Sequence, residues 1–189
     1  DQFDHAGRFW QVQVPMLRPR PYTKPYPAVI RGSSTDGSLV ELAREGKPFM
    51  MNVQSLETTS RRVGLYRETM RKAGFGEDRI AANLKASWVW RNFYVADSDE
   101  AAARIGIPAF ETMTRTRADM RNRYAAMGQR IVPRDDLPGA RKARGEGLLY
   151  GSPARVAEDV AAIDALGIGG IIGTFRLGPM THETAAESL

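Results

Sequence analysis

Cysteine is absent from the 189 residues, which excludes disulfides, thiolate metal sites and a cysteine nucleophile, and leaves the redox compartment open. Histidine is scarce. His5 and His182 stand far apart in sequence, and a zinc site built from protein side chains needs about three or four ligands, so a His-based metal cluster is not expected. No apolar run approaches the ~20 residues of a membrane span, and nothing at the start combines the basic, apolar and small-residue parts of a signal peptide. The expected location is cytoplasmic, with no membrane partner. No composition shift divides the chain either, and with 42% hydrophobic residues it has material for one sizeable core, so residues 1–189 are expected to form a single unit. There is no starting Met, and a chain that opens DQFDHAGRFW in mid-pattern reads as a fragment whose upstream part has been removed.

What the chain does have is positive charge, a net +5 with a pI near 9.7. That raises the question of nucleic acid. The denser basic groups, Arg61 with Arg62, residues 115–123 and residues 141–144, lie on or beside helical segments that also carry Glu or Asp. No aromatics interleave with them as in single-strand binders, so they read as solvated helical faces and no nucleic-acid partner is expected.

Residues 1–27 read as a connector. A short hairpin-like pattern, Phe9, Trp10, Val12 and Val14, runs into the Pro-rich PMLRPRPYTKPYP, an extended segment whose alternative role is a proline-recognition ligand. From residue 28 a rhythm sets in. The apolar run Ala28 to Ile30 predicts a strand over 28–31, followed by a helix over about 36–45 with Leu39, Leu42 and Ala43 on one face. Phe49, Met50 and Met51 predict the next strand, within 48–52, and a long helix over about 57–73 follows, stopped by Gly74. The Trp-, Val-, Phe- and Tyr-rich stretch 87–96 predicts a third strand. A helical region over 99–128 comes next, interrupted around Gly106 and Pro108. Residues 132–148 show no regular period, and irregular chain of that length is usually functional or mobile. Ser152 as N-cap, Pro153 at the first helical position, Val156, Val160 and Ile163 on one face and Gly167 as stop predict a helix that leads into a strand over 168–175. A last helix begins near Thr181. Four strands alternating with helices predict an α/β fold with a parallel sheet and sites at the carboxyl ends of the strands. Four βα units over 28–189 suffice for half of an eight-stranded barrel, which needs ~250 residues in all, or for a small open sheet.

The turn after the first of these strands, Arg31-Gly32-Ser33-Ser34, has two readings. Small residues let a backbone approach an anion closely, and the N–H groups of Ser38 and its neighbours, left unsatisfied at a helix start, would favour a phosphate. The same residues serve equally as an ordinary N-cap, typically worth ~1 kcal/mol.

The succession GRFWQV, LRPRPYTKPYPAVIRGSS, AREGKPFMMN, GSPARVAEDVAAIDALGIGGIIGTF and LGPMTHETAAESL resembles the carboxyl-terminal half of the luciferase-like flavin-dependent monooxygenases and oxidoreductases. The resemblance covers nearly the whole chain and implies a TIM (β/α)8 barrel of the bacterial luciferase type, present here as strands five to eight. It implies reduced FMN, or a reduced deazaflavin coenzyme, as cofactor, a small organic substrate with oxygen, a separate flavin reductase as a possible partner, and a homodimer when complete. A non-catalytic flavin-binding or partner protein of the same fold is the alternative. Position by position, Gly32, Ser33, Ser34 and Ser38 match the cofactor phosphate site, with Arg31 able to neutralise charge unless strand alternation aims it at the outer helices. Met51, Asn52, Gln54, Trp88, Trp90 and Asn92 would line the barrel mouth if they point inward. Against this, a strand Trp is often core, and satisfying a turn is the ordinary role for Asn52. Residues 132–148 match the connection that closes over the flavin in the family. His182 is the one candidate acid or base, with a surface or capping role as its alternative. Half a barrel on its own is expected to be unstable or to self-associate, because two strand edges and an apolar inner face stand uncovered.

Overall fold

In the computed structural model, which describes residues 2–52, 55–129 and 145–188, the chain opens with an isolated hairpin. Strands β1 (Phe3–Ala6) and β2 (Gln11–Val14) pair antiparallel, Phe3 opposite Val14 and Ala6 opposite Gln11, and the turn is closed by the Gly7 N–H donating to the Trp10 carbonyl at 2.8 Å. The Pro-rich segment then leads to the first strand of the main sheet without regular structure.

That sheet has five strands, and every pairing in it is parallel. Strand β3 (Arg31–Ser33) pairs with β4 (Phe49–Met51), and β4 pairs with β5 (Trp88–Val95). Strand β7 (Gly170–Thr174) runs along β5 from Trp88 to Asn92. A short strand, β6 (Leu148–Gly151), pairs with Asn92 to Val95. Trp88 has partners in both β4 and β7, and Asn92 in both β6 and β7, so β4 and β6 share one edge of β5, with β6 beyond the carboxyl end of β4.

The first strand begins three residues later than the apolar run suggested. Ala28, Val29 and Ile30 are exposed and unpaired, because β4 offers only three residues and its register starts the ladder at Arg31. The helical region after β5 is also corrected: α4 (Asp99–Ala126) continues through Pro108. Gly106 is where α4 touches the sheet, and a Cβ there would lie 2.9 Å from the Tyr94 Cβ. Two elements were not foreseen, β6 and the short helix α3 (Glu77–Lys85), whose N-cap is Gly76 and whose capping signal is correspondingly weak.

The remaining helices start where their caps dictate. The Thr35 side chain caps α1 (Asp36–Arg44), Ser55 caps α2 (Leu56–Lys72), Ser152 with Pro153 starts α5 (Pro153–Asp164), and Thr181 caps α6 (His182–Ala186). Leu39, Leu42, Val63, Tyr66 and Met70 project from α1 and α2 onto Phe49, Met51 and Val89 of the sheet and form the main buried cluster with Ile80, Leu84, Ile163 and Ile168. A second cluster joins α4 to the carboxyl end of the sheet through Tyr94, Ala102, Phe110, Met113, Leu148, Leu177 and Met180. Among the described residues no helix is long and apolar enough to cross a membrane.

Candidate functional site

Strand alternation sorts the residues of the sheet into two faces. Phe49, Met51 and Val89 are buried among the helices, and register places Arg31 and Ser33 on the same side. The other face carries Gly32, Met50, Trp88, Trp90, Asn92, Gly170, Ile172 and Thr174, linked across the strands as neighbours. Met51 is therefore a core residue and not part of a pocket. Arg31 likewise turns to the outer layer, where its guanidinium donates to the Glu41 carboxylate of α1 at 2.6 Å.

At the carboxyl ends of β3 and β4 the expected residues do come together. The Ser34 hydroxyl accepts from the Asn52 side-chain amide at 2.5 Å, and the buried Ser33 hydroxyl lies 2.8 Å from that of Ser38. Ser38, however, is committed to a capping box. Its N–H donates to the Thr35 hydroxyl at 3.2 Å, and its own hydroxyl accepts from the Thr35 N–H at 3.4 Å. The Ser38 N–H is thus not an open donor; those of Asp36 and Gly37, the first two helical positions, lack an intrahelical acceptor. Gly32 leaves room beside the turn, since a Cβ there would have only the Met50 methyl within reach, at 3.9 Å.

The arginine doublet on α2 is more than a solvated face. Arg62 is buried, and it donates from Nε to Asp36 at 2.9 Å and from its terminal nitrogen to the Ser34 carbonyl at 2.8 Å. Arg61, half-exposed, binds the same carboxylate with both terminal nitrogens, at 2.8 and 3.1 Å. The hydrogen bonds from Arg61 and then Arg62 hold the Asp36 carboxyl below the usual carboxylate range against the opposing effect of burial. The signal for this cluster was Asp at the first helical position together with Arg-Arg one helix later, but nothing in the sequence places them in contact.

Along β5 the three remaining candidates differ. Trp88 is the first residue of the strand, at the amino end of the sheet, where its ring covers Gly170 so closely that a Cβ on that glycine would lie 2.5 Å from it. It is not at the mouth. The Trp90 indole N–H donates to the Thr174 hydroxyl of β7 at 2.7 Å. Asn92 is 1% exposed and, among the described residues, its side-chain amide nitrogen has no hydrogen-bond partner. A buried, unpaired donor is costly and rare. On the helix side of the same strand Arg91 is buried too, donating among the described residues to the Trp90 carbonyl and the Thr59 hydroxyl, and burial lowers its pKa to about 10. It lines a cavity of about 260 Å³ with Ser55, Leu148, Leu149, Asp159 and Ile163. His182 is exposed at the start of α6. Among the described residues no group of His, Asp or Glu could hold a metal ion. Gln54 and residues 132–144 of the expected closing segment lie outside the described residues.

A parallel sheet whose strands alternate with helices, with a capped small-residue turn at a strand's carboxyl end, defines an α/β chain built of βα units. The sequence profile of the luciferase-like monooxygenases matches residues 1–170, and the chain belongs to that family. Among solved structures it is similar to the monooxygenase RslO1 from Streptomyces bottropensis, at 21% identity and a TM-score of 0.66 over 98% of this chain and 52% of that one. It is also similar to the oxygenating constituent of 3,6-diketocamphane monooxygenase from the CAM plasmid of Pseudomonas putida, a type II Baeyer-Villiger monooxygenase in complex with FMN. There the identity is 21% and the TM-score 0.54, over 90% of this chain and 51% of that one. The chain thus spans about half the length of these structures. No curated protein matches it.

Proposed function

We propose that this chain forms one wall of a flavin site in a flavin-dependent monooxygenase or oxidoreductase, as the strand-five to strand-eight half of a (β/α)8 barrel. In that arrangement β3, β4, β5 and β7 are successive barrel strands and the face bearing Gly32, Trp90, Asn92 and Thr174 looks inward. Reduced FMN is the favoured cofactor, with a reduced deazaflavin as the alternative; the substrates are a small organic molecule and oxygen. A separate reductase would supply reduced FMN, and the complete protein would be a homodimer in the cytoplasm. The observation that carries this reading is the amide of buried Asn92, unpartnered among the described residues, on the same face as Trp90 and the open side of Gly32. Flat aromatic ligands suit such a wall, with a carbonyl to accept from Asn92 and apolar area against the ring.

The residues fit the cofactor in kind. The N–H groups of Asp36 and Gly37, the Ser34 hydroxyl and the α1 dipole would hold the phosphate, with Gly32 giving backbone access. The bound flavin would supply the redox chemistry, and the protein would bind, orient and exclude water. The test is titration of the full-length protein with reduced FMN and reduced deazaflavin, followed by oxygen-dependent turnover. Ser33→Asp with Ser34→Asp is expected to weaken FMN binding at least tenfold by placing negative charge at the phosphate. Unchanged affinity would refute the phosphate assignment. Binding without turnover would instead identify a non-catalytic member of the fold.

A further inference from the structure

We propose that Arg62 is the positioning residue that sets the phosphate turn, so that discrimination between FMN and riboflavin depends on a side chain on α2 that does not touch the phosphate. This rests on the phosphate reading above. The Arg62 side chain is 2% exposed and spans two acceptors at once, the Asp36 carboxylate at 2.9 Å and the Ser34 carbonyl at 2.8 Å. The two acceptors bracket the start of α1. A planar guanidinium holds both in fixed directions, which a lysine ammonium on a flexible stem does not reproduce.

The consequence runs through the peptide plane. The Ser34 carbonyl and the Thr35 N–H belong to one rigid unit and point in opposite directions. With the carbonyl held by Arg62, the N–H is aimed at the Ser38 hydroxyl, 3.4 Å away, which is one half of the capping box. The other half, Ser38 N–H to the Thr35 hydroxyl at 3.2 Å, fixes the first helical turn. The donors left at Asp36 and Gly37 then have a single direction. From the opposite side the Asn52 amide holds the Ser34 hydroxyl, so the turn is tied to β4 and α2 together. Electrostatics point the same way: two guanidinium groups meet one carboxylate, leaving the approach to α1 positively charged, and Arg61 covers the Asp36 charge that would otherwise oppose a phosphate.

The experiment is anaerobic titration of the full-length protein with reduced FMN and reduced riboflavin, comparing wild type with Arg62→Met, Arg62→Lys and Arg61→Gln. Wild type is expected to prefer FMN at least tenfold. Arg62→Met is expected to cut that preference below threefold through loss of FMN affinity, with riboflavin affinity kept within twofold. Arg62→Lys, which retains the charge but not the fork, should lose at least threefold of the preference, and it carries the test if the Met variant fails to fold. Arg61→Gln, which uncovers the Asp36 charge but leaves the Ser34 carbonyl held, should lose less of the preference than Arg62→Met, and an equal loss overturns the positioning role. An unchanged preference in both Arg62 variants overturns the inference, and so does an equal loss of both ligands, which is the mark of a general structural role. A wild type without preference for FMN overturns the phosphate site itself, and is thereby distinguished from failure of Arg62 alone.

Discussion

Replacing Asn92 by Leu should make the protein more stable and a poorer flavin binder. The amide nitrogen of Asn92 is buried with no partner among the described residues, and an unsatisfied donor of that kind costs about 1–3 kcal/mol. Leucine has similar length and removes the donor, while the added apolar burial contributes in the same direction at about 25 cal/mol per Å². Against this stands a branched shape in a packed site, a penalty of about 1 kcal/mol or somewhat more. The balance is a stabilisation of about 1–2 kcal/mol in the ligand-free protein, or about 2–8 °C in Tm for a chain of this size. On the flavin-site reading proposed above, the wild-type residue trades stability for a ligand contact. Loss of one neutral hydrogen bond, about 0.5–1.5 kcal/mol, should weaken flavin binding about two- to tenfold. The assay is thermal denaturation without ligand together with a flavin titration of the same variant. A lower Tm with unchanged flavin affinity would refute the reasoning, since Asn92 would then be a satisfied structural residue.

Two further outcomes follow from the geometry. Gly106→Ala, which in an open helix would gain about 1 kcal/mol, is expected instead to cost about 1 kcal/mol, because the new Cβ meets Tyr94 at 2.9–3.1 Å; urea denaturation checks it, and a gain would show that α4 can shift. Asp36 has its carboxyl lowered from 3.8 by Arg61 and Arg62, so its contribution is fully present above that value and is lost as pH falls through the lower folded value; Asp36→Asn should reduce stability at pH 7 while narrowing the difference from wild type in strong acid, and parallel acid-denaturation curves would contradict this.

How far the sequence reaches can be seen in particular residues. Caps at Thr35, Ser55, Ser152 and Thr181 and the glycine stops are local chemistry, carried within about four residues, so the helices they start were legible. Helix α3, with only a glycine at its N-cap, was not. The alternation of β5 was visible, but which end of it lies at the carboxyl side of its neighbours is a matter of register, and that moved Trp88 away from the mouth and left Asn92 in place. Met51 and Arg31 went to the helix layer for the same reason: period two fixes that neighbours oppose each other, and only packing fixes which of them faces the core.

By itself, then, the order of caps, strands and small-residue turns determined a parallel α/β chain with its candidate turn at Gly32-Ser33-Ser34, because these are short-range preferences of backbone and side chain. The tertiary structure alone decided that Arg62 reaches across 28 residues to the Ser34 carbonyl and that Asn92 is buried without a partner among the described residues. Both depend on which faces meet, and burial is a property of the packed chain, not of any segment in it.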